Sequence, residues 1–385
     1  MAPISRFTAA LALAYGFCGT LTAAHPGEEQ HDIKHIARQM KRTAAIADYQ
    51  AAQMNACVDS EHVKALQERA IKRRAAITEQ LREERGLQDT PIFDKRNLQD
   101  FKTWAQTQHN KTGSALKPGA SLEALFGANP TCILAPDNAN GPYFVKGEQI
   151  RSNNVDGQKG VPMHLEIQFI DVKTCKPAPE ILVDIWACNA TGIYSGVSAQ
   201  GQGGLNSAFL RSVQKTDADG VVQFDTNFPG HYGGRATHEH IITHVGAKVE
   251  ANGSYTGGTI NHLSQLFFEQ ALINAVEKTA PYNTNRIQMT QNDADMFTGY
   301  AATKAYDPFP SYTYLGSQIE QGIFAWALLG IDLNANVEQY ATNTAYVDAT
   351  GGHNNPSFNM GIVATPPSTH GKREGEEEEE VLDAE

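Results

Sequence analysis

The sequence has little of what would place it in several large classes. Charged residues make up only 19% of its 385, too few for a disordered polyelectrolyte or a long coiled coil. Basic residues are in the minority, 31 against 43 acidic, for a net charge of −12. The basic footprint that a nucleic-acid binder needs is therefore missing. Beyond the first 24 residues no apolar run approaches the ~20 that span a bilayer, and Gly322 to Ile331 is too short. Cysteine is scarce, five in all, with none of the spacings of a zinc knuckle. No internal repeat is present. What remains is a globular chain, long enough for two or three domains at most.

The ends of the chain carry clear signals. Arg6 precedes an uncharged stretch, Phe7 to Ala24, with a Leu/Ala-rich centre and a small-residue end at Thr22-Ala23-Ala24. This is the pattern of a secretory signal cleaved after Ala24, and it implies a secreted, extracellular protein with no membrane attachment once the signal is removed. At the other end, Lys372 to Glu385 holds eight carboxylates against Lys372 and Arg373, half of the net charge of the whole chain. Such a block repels itself and is expected to form a disordered tail. Cys18 leaves with the signal, so Cys57, Cys132, Cys175 and Cys188 remain for two disulfides in an oxidising compartment. Cys175 and Cys188 flank one strand-like run and are the favoured pair, leaving Cys57 for Cys132. Three sequons, at Asn110, Asn189 and Asn252, fit the same route.

Between these ends the texture changes once. Ile33, Ile36, Met40, Ala44 and Ala47 recur at helical spacing, as do Val63, Leu66 and Ala70, so two helices are expected, separated near Asp59-Ser60 with Ser60 as N-cap. Gly113 to Pro130 reads as a linker. After Cys132 strands take over: Leu165, Ile167 and Phe169 alternate with polar residues, and Ile181 to Trp186 is a second strand. Phe209 to Lys215 and Val221 to Phe224 read as a hairpin turned at Asp219-Gly220. The acidic run Asp217 to Gly220 is better read as that turn than as a calcium loop, since the third acidic position and the closing Glu are absent. His238 to Val245 and Leu263 to Phe268 add strands, and a helix is expected around Gln318 to Leu329, with Ile319, Ile323, Trp326 and Leu329 on one face. The fold expected is mainly β, an antiparallel β-sandwich with an N-terminal α-helical segment and an irregular C-terminal extension. The divisions are a signal peptide (1–24), a helical region (25–112), the sandwich (126–290), an extension packing on it (291–363) and the acidic tail (364–385).

The densest chemistry lies in Phe228 to His240, FPGHYGGRATHEH. On a strand, residues i and i+2 share a face, so His238 and His240 can address one metal ion. Tyr232 lies just upstream in a Gly-flanked loop, and a second tyrosine, Tyr194, closes the run Trp186-Ala187-Cys188-Asn189-Ala190-Thr191-Gly192-Ile193-Tyr194. Together with Gly141-Pro142-Tyr143-Phe144, Pro229-Gly230-His231-Tyr232, Gln265-Leu266-Phe267-Phe268 and the stretch from Leu315 to Ile331, these motifs resemble the intradiol ring-cleavage dioxygenases, most of all their secreted fungal branch, over about Cys132 to Ile331.

The resemblance implies a single ferric ion per chain held by Tyr194, Tyr232, His238 and His240, with Arg235 polarising the substrate and Gln265 in the pocket. It implies an aromatic diol and O₂ as substrates, and a cis,cis-muconate-type diacid as product. Phenolate oxygens suit so hard a cation. Two tyrosinates and a hydroxide neutralise it, and a catecholate dianion replacing the hydroxide and the Tyr232 phenolate keeps the balance. Glu239 departs from the family, which has an apolar residue between the histidines, and alternation turns it away from the metal. Asn140 replaces a frequent Glu. His231 and His244 lie outside the ligand pattern, and Asn189, beside the site, is expected to be unmodified. Three rival readings fit the residues less well. A cupin wants a Glu four or five residues after the second His, which Ile241 to Val245 do not offer. A copper enzyme built on His25 is disfavoured by Pro26. A binding sandwich with a vestigial site is disfavoured by the intact ligand set. The N-terminal helices also offer a surface for a homodimer.

Overall fold

The computed structural model describes residues 52–54, 56–57, 59–90, 109–110, 141–295, 298, 309–338 and 341–358. The signal segment, the helix expected over Ile33 to Ala47, the Gly113–Pro130 linker, Cys132, Asn140 and the acidic tail lie outside the described residues.

The Ser60 side chain accepts a hydrogen bond from the Val63 amide at 3.2 Å and starts helix α1, Glu61–Glu84. Its buried stripe of Val63, Leu66, Ala70, Arg74, Thr78 and Leu81 follows the helical period, as the sequence predicts. The remaining elements are β1 (Val145–Lys146), β2 (Pro162–Asp171), β3 (Lys176–Pro177), β4 (Leu182–Trp186), β5 (Arg211–Lys215), β6 (Val221–Asn227), β7 (His238–Val249), β8 (Tyr255–Phe267), α2 (Gln270–Val276), β9 (Ser311–Tyr314), β10 (Ile323–Ile331), β11 (Ala345–Asp348) and β12 (Gly351–Asn354).

Two sheets make the sandwich. One runs β3-β2-β10-β9, with β6 also paired to β2, and the other runs β5-β4-β7-β8. Pairing is antiparallel except for β2 with β10 and β1 with β11. Leu165, Ile167, Phe169, Phe224, Ala325, Ala327 and Leu329 of the first sheet share a core with Val183, Ile185, Ile241 and Leu266 of the second. A small third sheet, β1-β11-β12, lies beside them.

Helix α1 covers the outer face of the first sheet. Leu81 packs with Phe324 and Trp326 of β10. Arg73 grips the fully buried Glu166 of β2 through Nε at 2.9 Å and Nη2 at 3.1 Å, and Arg74 adds Nε at 2.7 Å. Burial opposes ionisation of Glu166, but the two guanidiniums outweigh it and hold the carboxyl below its ordinary range.

Three expectations need correction. The segment Gln318 to Leu329 is not a helix: after a single turn at Ile319–Gln321 it is the strand β10. That strand is buried on both faces, with Ala325, Ala327 and Leu329 in the sandwich core and Phe324 and Trp326 under α1, so it has no polar alternation to betray it. The chain after residue 291 thus contributes two strands, β9 and β10, to the sandwich itself. Second, β5 and β6 are not a hairpin. The Asp217–Gly220 turn forms, with the Asp217 carboxylate accepting from the Asp219 and Val221 amides at 2.9 Å, but it passes the chain from one sheet to the other.

Third, Cys175 is bonded to Cys57, and Cys188 is a buried free thiol. Cys175 precedes β3 of the first sheet and Cys188 follows β4 of the second, so the pair expected from one strand-like run belongs to two different sheets. Cys175 instead meets the segment before α1, with 5.1 Å between the two Cα atoms.

Candidate active site

Two loops are brought together by glycines. A Cβ on Gly230 would lie 2.2 Å from the Asn189 carbonyl, and one on Gly192, whose φ is +82°, would lie 2.5 Å from the His231 carbonyl. Only glycine allows this backbone approach, and it sets Tyr194 beside Tyr232 with ring centroids 5.4 Å apart. The Asn189 carboxamide oxygen shapes the first loop, accepting from the Thr191 amide, the Thr191 hydroxyl and the Ile193 amide. Beyond Tyr194, Arg211 donates to the Ser195 carbonyl from Nε at 3.0 Å and Nη2 at 2.8 Å. The Tyr194 amide donates to Gln202 at 2.6 Å, and its ring stacks on Tyr143 at 4.3 Å.

Strand β7 supplies the imidazoles on the face opposite the sandwich core. His238 Nε2 lies 3.0 Å from His240 Nε2 and 3.3 Å from the Tyr232 hydroxyl. His238 Nδ1 donates to the Ala236 carbonyl at 2.6 Å, which assigns its Nε2 a lone pair pointing at this convergence. His240 is stacked flat on Trp186, 4.6 Å away with a 3° interplanar angle. The Tyr194 hydroxyl is buried and interacts with the Tyr232 hydroxyl.

Burial, then the nearby Arg235, pushes His238 down to about 3. Burial also pushes both phenols well above their ordinary value, although Arg235 opposes this at Tyr232. These groups are therefore neutral until a strong cation enters, and such a cation would reverse the phenol shifts. Among the described residues no cluster of three or more His, Cys, Asp or Glu is arranged to hold a metal. The donor set here is instead two phenols and two imidazoles, which fits a hard, highly charged ion.

Residues 139–252 match the family model described as Dioxygenase. This segment resembles the intradiol ring-cleavage dioxygenases. A solved intradiol ring-cleavage dioxygenase from Tetranychus urticae is 27% identical, covering 53% of this chain and 97% of that one, with a TM-score of 0.45. The dioxygenase domain of a carbohydrate-binding fusion from Streptomyces sp. SirexAA-E is 23% identical over 51% of this chain and 97% of its own, with a TM-score of 0.34. Catechol 1,2-dioxygenase from Pseudomonas arvilla C-1 is 19% identical over 54% and 66%, with a TM-score of 0.36. A search against curated proteins finds no match.

The segment that matches this model contains Tyr194, Tyr232, Arg235, His238 and His240, while two further parts of the candidate site come from outside it. Gln265 of β8 pairs with His240 in register and accepts a hydrogen bond from Arg235 Nη2. Its amide nitrogen is buried and unpartnered. Asp295 accepts from Arg235 Nε at 2.9 Å and from the Ala236 amide at 2.6 Å. The sequence reading missed Asp295, which lies 60 residues beyond Arg235 in no motif. It also missed Arg211, which reads as an ordinary strand residue.

Other candidates are placed elsewhere. His231 Nδ1 bonds Glu277 at 2.7 Å and its Nε2 bonds the Ile287 carbonyl at 2.8 Å, so both ring nitrogens act as donors to acceptors outside the site. His244 contacts Tyr255 at 3.2 Å.

Glu239 shares a strand face with Ile241 of the sandwich core, is fully buried, and neither carboxyl oxygen has a partner. Burial pushes its carboxyl well above the ordinary range. Replacing Glu239 with Leu is expected to stabilise the fold by about 1–3 kcal/mol, the usual cost of an unsatisfied buried polar group. The check is a raised melting temperature with unchanged metal content, and a lowered one would show that the carboxyl has a partner.

Proposed function

We propose that this protein is a secreted non-haem ferric intradiol dioxygenase that cleaves catechol-type diols with O₂, giving cis,cis-muconate-type diacids. The observation that carries the reading is the convergence of His238, His240 and Tyr232, with the buried Tyr194 beside them and the Arg235–Gln265 pair at their edge. The match of residues 139–252 to the Dioxygenase family supports the reaction class. The Phe7–Ala24 run and the Cys57–Cys175 bond fit an oxidising, extracellular compartment.

Tyr194, Tyr232, His238 and His240 would hold the iron. When bound, ferric ion makes a chelated catecholate susceptible to O₂ between its hydroxylated carbons. Tyr194, locked by Gln202 and Tyr143, serves as the fixed anionic donor. Tyr232 is followed by Gly233 and Gly234, the latter at φ +84°, and this permissive backbone would let it swing out as a phenolate, which takes a proton from the diol and becomes the phenol. Arg235, oriented by Asp295, stabilises negative charge that builds on the substrate. The buried walls exclude water from the charged groups.

Purified protein is expected to be red to purple from tyrosinate-to-iron charge transfer and to contain iron in a one-to-one ratio with the chain. Visible spectroscopy with metal analysis tests this. A colourless protein fully loaded with zinc or copper would overturn it.

A further inference from the structure

Of the three sequons, the structure separates two sharply. Asn189 is half-buried. Its carboxamide oxygen accepts three hydrogen bonds from its own loop, and its nitrogen donates to Gln158 at 2.9 Å. A glycan on this half-buried nitrogen would have to displace Gln158 and the loop that carries Tyr194. Asn252 is the opposite case. Beyond β4, strands β7 and β8 continue as a two-stranded extension whose Tyr255 packs back on Leu182 and Val213, and Asn252 stands exposed in the turn at its end. Its carboxamide oxygen accepts from the Ser254 amide at 3.0 Å and the Ser254 hydroxyl at 2.8 Å. The nitrogen makes no hydrogen bond among the described residues. The folded turn therefore leaves an exposed residue with room for a glycan. Gly253, at φ +82°, makes this turn without strain, and an added Cβ there would meet nothing within 4 Å.

We infer that Asn252 is a site of N-linked glycosylation and that Asn189 is not. The inference rests on the secretory reading above. In the transfer, the Asn252 amide nitrogen bonds to the anomeric carbon of a lipid-pyrophosphate-linked oligosaccharide. The carbon–oxygen bond to the pyrophosphate breaks, the lipid pyrophosphate departs, and the amide proton passes to the transferase. Attachment precedes folding, so the structure acts afterwards: a glycan at Asn252 leaves the fold untouched, whereas one at Asn189 prevents it. Asn252 follows the end of β7 opposite to the one that carries His238 and His240.

The test is expression of the full chain in a eukaryotic secretory host, beside a version with residues 1–24 replaced by a proven leader. Glycopeptides are mapped on the soluble protein that melts cooperatively. The Asn252 peptide is expected to carry a glycan and the Asn189 peptide none. Asn252→Gln and Ser254→Ala should each lose one glycan's mass, with turnover of catechol unchanged. Soluble, folded protein from the leader version with Asn252 bare, or with Asn189 modified, overturns the inference. A glycan at Asn252 in the leader version alone, with the native N-terminus failing to export the chain, sinks the secretory reading while upholding the site.

Discussion

Phenylalanine at Tyr194 is expected to empty the site of iron and bleach the protein, whereas phenylalanine at Tyr232 should leave iron and much of the colour in place. The difference comes from how the two rings are held. Tyr194 is fixed on three sides: its amide is bonded to Gln202, the next residue is clamped by Arg211, and its ring is stacked on Tyr143. Its hydroxyl is buried and interacts with that of Tyr232, which places it at the convergence of donors. Loss of that oxygen removes the fixed anionic ligand from every state. Metal affinity should fall by more than the ~10–100-fold that follows when only a hydrogen bond behind a ligand is removed. Tyr232 is followed by two glycines and contacts His238 at 3.3 Å. Its loss should slow diol binding and turnover by about 10²–10⁴-fold, the range for a missing general base. Iron content, the visible spectrum and the stopped-flow rate of catechol binding separate the two variants. A Tyr232 variant that binds catechol as fast as wild type, with only that step lost in the Tyr194 variant, would reverse the roles. No spectral change in either would refute the tyrosinate site.

Asp295→Ala is expected to cost both stability and turnover, although Asp295 touches neither the proposed metal ligands nor the diol. Arg235 is 1% exposed, and Asp295 is its buried counter-ion as well as an acceptor for the Ala236 amide. Truncating one partner of a buried pair leaves the other uncompensated, a loss of about 3–5 kcal/mol. Asp295→Asn keeps an acceptor oxygen and should fold more readily. Its Arg235 guanidinium would no longer be aimed by a charge, and kcat should fall by about 10²–10³-fold, as when a donor to a developing negative charge is lost. KM should change much less than kcat. Thermal unfolding and steady-state kinetics of the two variants are the measurement. An Asp295→Ala enzyme with wild-type stability and kcat would remove Asp295 from the site.

The contrast between these two predictions marks where the sequence is informative. Tyr194, Tyr232, Arg235, His238 and His240 fall within 47 residues, at spacings fixed by a loop after a strand and by alternation along another. Local geometry decides such spacings, so the motifs could be read from the chain alone. The same holds for the Ser60 cap, the stripe of α1 and the alternation of β2, although β2 is buried on both faces, its polar Glu166 lying under Arg73 and Arg74 of α1. The sequence by itself therefore determined the β-rich class, the N-terminal helix and the set of residues to examine. Tertiary structure decided what depends on distant partners. Strand β10 lost its pattern because α1 covers its second face. Cys175 chose Cys57, 118 residues away, because the chain between Cys175 and Cys188 passes from one sheet to the other. Arg235 found Asp295 because the chain returns to the site after β8, and no local period records such a return. A buried charge needs a partner wherever the fold can bring one, and that requirement acts through space rather than along the sequence.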